Sequence, residues 1–128
     1  MAATADQIRA TVARYMDAFS RADKQGYLDC FATDATVEDP VGTGIHRGAA
    51  EIGEFWEGVR SMSPSIELRP VGDVRVVAGE AAFAMQAVAA LGDVKMVVDI
   101  IDVMAFDDEA HITGMRAFWD PSEMRPAD

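Results

Sequence analysis

Asp102 stands in the most apolar run of the chain, Met96-Val-Val-Asp-Ile-Ile-Asp102-Val-Met-Ala-Phe106. Alternate residues of a strand share a face, so Asp102 projects together with Met96, Val98, Ile100, Met104 and Phe106. A carboxyl group in such company is costly to ionise unless it is paired. Its pKa should rise, which leaves room for a protonated form at neutral pH. A protonated carboxyl donates a hydrogen bond to a developing oxyanion, which a carboxylate cannot do. The same residue would also fit a structural role, accepting bonds from hydroxyls or pairing with an arginine. The remaining polar residues offer less. His46 and His111 are far apart in the chain and belong to no ligand cluster, so a metal site is not expected. Cys30 has no histidine arranged around it and reads as a small packed residue. Asp99 falls on the strand face opposite Asp102, where pairing with an arginine would be structural. Glu38 should point away from Asp39, toward solvent or a partner subunit.

Helices and strands must hold these groups. Ile8, Val12, Tyr15, Met16 and Phe19 recur at helical spacing and predict an amphipathic helix over roughly Ala5 to Arg21, with Thr4 as its N-cap and the Tyr15 ring inward. A short second helix after Asp23 carries Leu28 and Phe31, and Ala35 to Glu38 reads as a short strand. Pro40 holds Asp39 out of helical geometry and ends regular pairing. Residues Val41 to Arg47 read as a loop, and Ala49 to Met62 as a helix with Ile52, Phe55, Trp56 and Val59 on one face. From there the pattern is all strand: Ser65 to Val71, Asp73 to Ala78, Ala81 to Leu91, Val94 to Phe106 and His111 to Trp119. Gly92-Asp93 between two long strands implies a hairpin. Helices first and antiparallel strands later form an α+β pattern. The expected architecture is a cone, a curved antiparallel sheet wrapped around N-terminal helices and enclosing an apolar pocket. Met85, Met115, Ala117 and Trp119 are placed to face that pocket or to fill the core, and the tail beyond Pro121 should be loose.

The 128 residues make one ordinary domain, 1–128, with no repeat or linker. Eleven Lys and Arg against twenty-two Asp and Glu give a net charge of −11. Such a surface repels phosphate backbones and anionic membranes, so nucleic acid and membrane are not expected partners. No apolar stretch reaches membrane-span length, and the N-terminus lacks the pattern of a signal peptide. The single Cys30 excludes an intrachain disulfide and fits a reducing, cytoplasmic setting.

Four stretches carry a resemblance to a known family. They are Ala13-Arg-Tyr15-Met, Asp34-Ala-Thr-Val-Glu-Asp39-Pro-Val-Gly42, Asp99-Ile-Ile-Asp102-Val-Met-Ala-Phe-Asp107 and Met115-Arg-Ala-Phe-Trp119. At consistent spacing over nearly the whole chain, they resemble the bacterial ketosteroid isomerases of the nuclear-transport-factor-two-like superfamily. The helices-then-sheet plan is weakly specific, because cyclases, dehydratases, hydrolases and noncatalytic binders share it. The Tyr, Asp, Asp trio is more specific. The resemblance implies that Asp39 is the general base, moving a proton from C4 to C6 of a Δ5-3-ketosteroid without a cofactor. It implies that Tyr15 and a protonated Asp102 both donate to the C3 oxygen, the arrangement established for these isomerases. It further implies a steroid-like substrate held by Phe55, Trp56, Met85, Met115, Ala117 and Trp119, and a homodimer covering the outer face that carries Val97, Ile101 and Val103. The chain departs from the family where further tyrosines would extend the hydrogen-bond network of Tyr15. It has Trp56 and Phe31 there, and its only other tyrosine is Tyr27. A polyketide cyclase-like enzyme using Asp39 as base, or a noncatalytic binder of hydrophobic ligands, are the alternative functions.

Overall fold

A computed structural model describes residues 2–127 as three helices against one curled, unclosed sheet. Helix α1 spans Ala5–Ser20 and starts at a capping box. Thr4 Oγ1 accepts from the Gln7 N–H at 3.1 Å, and Gln7 Oε1 accepts from the Thr4 N–H at 2.8 Å. Its apolar stripe, Ile8, Val12, Tyr15, Met16 and Phe19, is buried as the spacing requires. Each such side chain contributes about 1.5–3 kcal/mol when removed from water. Helix α2, Lys24–Leu28, is capped by Asp23, which accepts from the Gly26 N–H at 3.0 Å. Helix α3, Gly48–Met62, buries Ile52 and Trp56 in the core.

The sheet runs β2-β1-β6-β5-β4-β3: His46–Arg47, Phe31–Glu38, Ile112–Phe118, Val94–Phe106, Glu80–Leu91 and Ile66–Val77. Strands β4 and β5 pair without interruption from Glu80↔Ala105 to Leu91↔Val94, turning at Gly92 with φ 64°. The strand predicted over 94–106 keeps those bounds.

Three features differ from the sequence-based expectation. Strand β1 begins at Phe31 rather than Ala35 and lies parallel to β6, so the sheet is not antiparallel throughout. A parallel pair needs a long crossover, and everything between β1 and β6 forms it, a long-range relation that no local pattern encodes. Strand β3 is continuous where two strands are predicted. Gly72, at φ 75°, lies where the β3–β4 register shifts, and the irregularity bends the strand instead of ending it. Pro70 is tolerated because β3 is an edge strand. Beyond Pro121 the chain makes a single 3-10 turn at Pro121–Glu123, and a two-residue strand β7, Arg125–Pro126, pairs with Val97 and Met96 of β5. The tail is thus docked on the sheet, where a loose end is expected from its polarity.

Candidate active site

The inward face of β5 reads Val98, Ile100, Asp102, Met104, all buried. Asp102 sits opposite Phe83 of β4 on one side and Ala117 of β6 on the other, so it is enclosed at the centre of the sheet with 0% exposure. Neither of its carboxyl oxygens has a hydrogen-bond partner among the described residues, and no arginine pairs with it. The arginine-paired alternative is therefore not realised. Burial raises its pKa well above the ordinary carboxylate value, and the charge of Asp39 raises it further. The Tyr15 hydroxyl opposes this weakly, close enough to favour the carboxylate but short of full hydrogen-bond geometry.

Tyr15 reaches the same place from the buried stripe of α1. Its ring packs on Tyr27 at 5.7 Å, Phe19 at 6.4 Å and Phe31 at 6.5 Å between centroids. Burial drives its pKa well upward, so the phenol stays a donor.

Asp39 follows the last residue of β1. Its Oδ1 accepts from Trp119 Nε1 at 2.6 Å across 80 residues of chain. The loop it opens is tied to the sheet by the Val41 N–H on the Ala117 carbonyl at 2.9 Å. The neighbouring Glu38 is engaged elsewhere, bonded to Arg116 at 3.1 Å and to the Gly42 N–H at 3.1 Å. Burial raises the Asp39 pKa, while the Trp119 bond and the charge of His46 lower it. Asp39 thus has stabilising partners for its anion, and Asp102 has almost none. Both carboxyl groups are thus shifted upward by burial, Asp102 the more strongly.

A cavity of about 600 Å³ opens beside them, within the range of small-molecule sites. Tyr15, Asp39 and Trp119 line it, as do Phe55 and Met85. Ile66, Leu68, Val98 and Ile100 form its sheet wall, and Val59 and Met62 of α3 complete the apolar lining. Three residues expected on the wall are not there. Trp56 is buried against the rings of Phe19 at 5.2 Å and Tyr27 at 4.9 Å. Met115 and Ala117 face inward but sit opposite Met104 and Asp102, in the packed core behind the cavity. Asp102 itself also lies behind the wall, not on it. His46 is a wall residue that sequence reasoning passed over as unclustered, since nothing local signals a two-residue strand pairing it to β1. Among the described residues no group of three or more His, Cys, Asp and Glu is placed to hold a metal. No helix there is long and apolar enough to cross a membrane.

A family model for the SnoaL-like domain matches residues 12–120. The chain belongs to the SnoaL-like family. A curated Steroid Delta-isomerase of Nocardioides simplex is 44% identical over 118 residues, covering 92% of this chain and 94% of that protein. The resemblance carried by the four sequence stretches accordingly holds across the domain. The solved structure of SalBIII, described as an epoxide hydrolase/cyclase-like enzyme in pyran ring formation in the polyether salinomycin, superposes with a TM-score of 0.85. It is 23% identical and covers 95% of this chain and 97% of its own. At that identity the likeness speaks for the fold.

Tyr27 joins the aromatic cluster from α2, with its ring 5.0 Å from Phe31 and 5.6 Å from Phe19. It is fully buried, and its hydroxyl has no hydrogen-bond partner among the described residues. A second tyrosine is therefore near Tyr15 without bonding to it. An orphaned buried hydroxyl lowers stability, so Tyr27→Phe is expected to raise the unfolding free energy by about 1 kcal/mol. Urea denaturation measures this, and a loss of stability would mean that the hydroxyl is satisfied in solution.

The raised pKa of Asp102 also sets a pH dependence. The folded state keeps a proton that the unfolded chain releases, so folding takes up protons. The stabilising contribution is complete below the ordinary carboxylate value of 3.8 and is lost as pH rises toward the folded value. Asp102→Asn abolishes that dependence. Its stability relative to the parent protein should climb between pH 4 and neutrality, and denaturant midpoints across that range test the sign.

Proposed function

We propose that this protein is a cofactor-independent steroid Δ-isomerase that moves the C5–C6 double bond of a Δ5-3-ketosteroid into conjugation. Asp39 takes a proton from C4, leaving a dienolate whose charge falls on the C3 oxygen. Tyr15 and protonated Asp102 donate to that oxygen, and Asp39-H returns its proton at C6. No atom is gained or lost, and the base is restored. The cavity wall stops short of Asp102, so the steroid oxygen must settle beside Tyr15 for both donors to reach it. Donors fixed in advance in a dry site stabilise a developing oxyanion without solvent reorganisation.

The observation that carries this reading is the pairing of unlike carboxyl groups. Asp102 is wholly buried with both oxygens unpartnered, beside a phenol, while Asp39 is bonded to an indole N–H on the cavity wall. The 44% identity to a Steroid Delta-isomerase supports it. A ring-closing enzyme using Asp39 alone, or a noncatalytic binder, would leave the costly Asp102 without a task. The test is an absorbance assay with 5-androstene-3,17-dione. The conjugated product absorbs where the substrate does not, and a flat trace with folded protein would overturn the proposal.

The same reading includes a homodimer and a cytoplasmic setting. The outer sheet face exposes Ile101 at 52%, Phe118 at 42% and Val71 at 49%, an apolar patch of the kind that marks an interface. Val97 is already buried and pairs in register with Arg125 of β7, so the patch lies farther along the strands. Sedimentation at micromolar concentration should give a dimer, and a monomer would remove the claim. Cys30 is buried, with its thiol pushed up to about 11, which suits an inert packed residue in a reducing compartment.

A further inference from the structure

His46 belongs to β2 and lies directly opposite Val37 of β1. Residues opposite one another in an antiparallel pair project to the same face. Asp39 follows the end of β1, two residues after Val37, and it and His46 both line the cavity. The His46 ring is braced on Phe55 at 5.1 Å between centroids, and Phe55 is held by α3. The Arg47 N–H, next in the chain, bonds Glu51 of α3 at 2.8 Å, which pins β2 to that helix.

The charged groups around His46 are few. Glu54 of α3 lines the same cavity. Arg47 is its strand neighbour, and Glu51 is engaged with the Arg47 backbone. Glu38 at the end of β1 is engaged by Arg116. Asp39 and Glu54 are the carboxylates that share the cavity wall with His46, and Asp39 is the one that a positive charge on His46 stabilises.

We propose that His46 is a positioning residue for Asp39, presenting a positive charge across the shared cavity wall to the carboxylate that Trp119 holds by its indole N–H. The inference rests on the assignment of Asp39 as the base and names a group acting through it. Trp119 fixes the orientation of Asp39, and His46 supplies the nearby positive charge. Without that charge, burial would keep Asp39 protonated to a higher pH. The influence of His46 on Asp39 has the required sign, because it favours the ionised form. The bond between Trp119 Nε1 and Asp39 Oδ1 makes the indole N–H a built-in reporter of the protonation of Asp39.

The test follows the Trp119 indole N–H by nitrogen-15 NMR through a pH titration in the absence of steroid, with Asp39→Asn identifying the signal. In His46→Leu the acid midpoint should move up by roughly half a pH unit or more, as expected for losing one positive charge at close range. The acid limb of kcat/KM should move with it. His46→Lys, which keeps a cation, should hold the midpoint at or below that of the parent protein. His46→Gln serves as the neutral variant if His46→Leu does not fold. A folded neutral variant with an unmoved midpoint, or a lysine variant that behaves like the neutral one, overturns the assignment. An indole titration that shifts as expected in a protein inactive on the ketosteroid would instead refute the isomerase reading and leave the pairing of His46 with Asp39 standing.

Discussion

Asp39→Asn is expected to lower kcat by roughly 10²–10⁴-fold, the range for loss of a general base. The amide has no basic oxygen for the C4 proton, yet it is nearly isosteric with the carboxyl group. Its carbonyl oxygen can still accept from Trp119 Nε1, which now bonds Asp39 at 2.6 Å. The substitution also removes a buried group whose ionisation is opposed by desolvation. Stability should therefore be kept or improved, and the loss should appear in turnover, not in the amount of folded protein. Single-turnover absorbance measurements with thermal melts on the same samples separate the two. A folded variant turning over at the parent rate would exclude Asp39 as the base.

The second large effect concerns the oxygen-binding pair. Tyr15→Phe and Asp102→Leu should each reduce kcat by roughly 10²–10³-fold, as when one preorganised donor is lost. If both donate to one oxygen, the double variant should lose less than the product of the single losses, because the remaining donor adjusts to the same acceptor. Asp102→Asn should be milder than Asp102→Leu, since an amide still donates. Binding of a planar phenolate or an equilenin-like steroid should weaken in parallel with turnover. The unpartnered state of both Asp102 oxygens makes this series informative, because truncation breaks no protein hydrogen bond. An asparagine variant as damaged as the leucine variant, with both folded, would end the protonated-donor role. Fully multiplicative losses would place the two residues at separate acceptors.

Much of the scaffold is legible from local pattern. Helix α1 follows from five apolar residues at helical spacing and a capping pair, both of which are short-range features. The bounds and inward face of β5 follow from strand alternation, which is a property of backbone geometry. That alternation was enough to put Asp102 among apolar neighbours. It was not enough to tell an unpartnered carboxyl from one paired with an arginine, since the partner would come from another element. Asp99 shows the contrast. It lies on the opposite face and bonds Arg125 at 3.0 Å, a contact made only because the tail folds back onto β5.

The wall of the cavity was less legible. Trp56, Met115 and Ala117 carry the right chemistry for it and point inward, yet they are consumed in the core. Pointing inward is a property of one element, whereas lining a cavity depends on what lies between that element and the void. The parallel β1–β6 pairing brings Asp39 and Trp119 together, and the two-residue β2 brings His46 to the cavity wall that Asp39 also lines. Neither pairing leaves a periodic signal. By itself, the sequence determined which faces are apolar, where Asp102 is isolated, and which residues stand at family positions. The tertiary structure decided which charges meet, because electrostatic neighbours are chosen by strand register and packing between segments up to 80 residues apart.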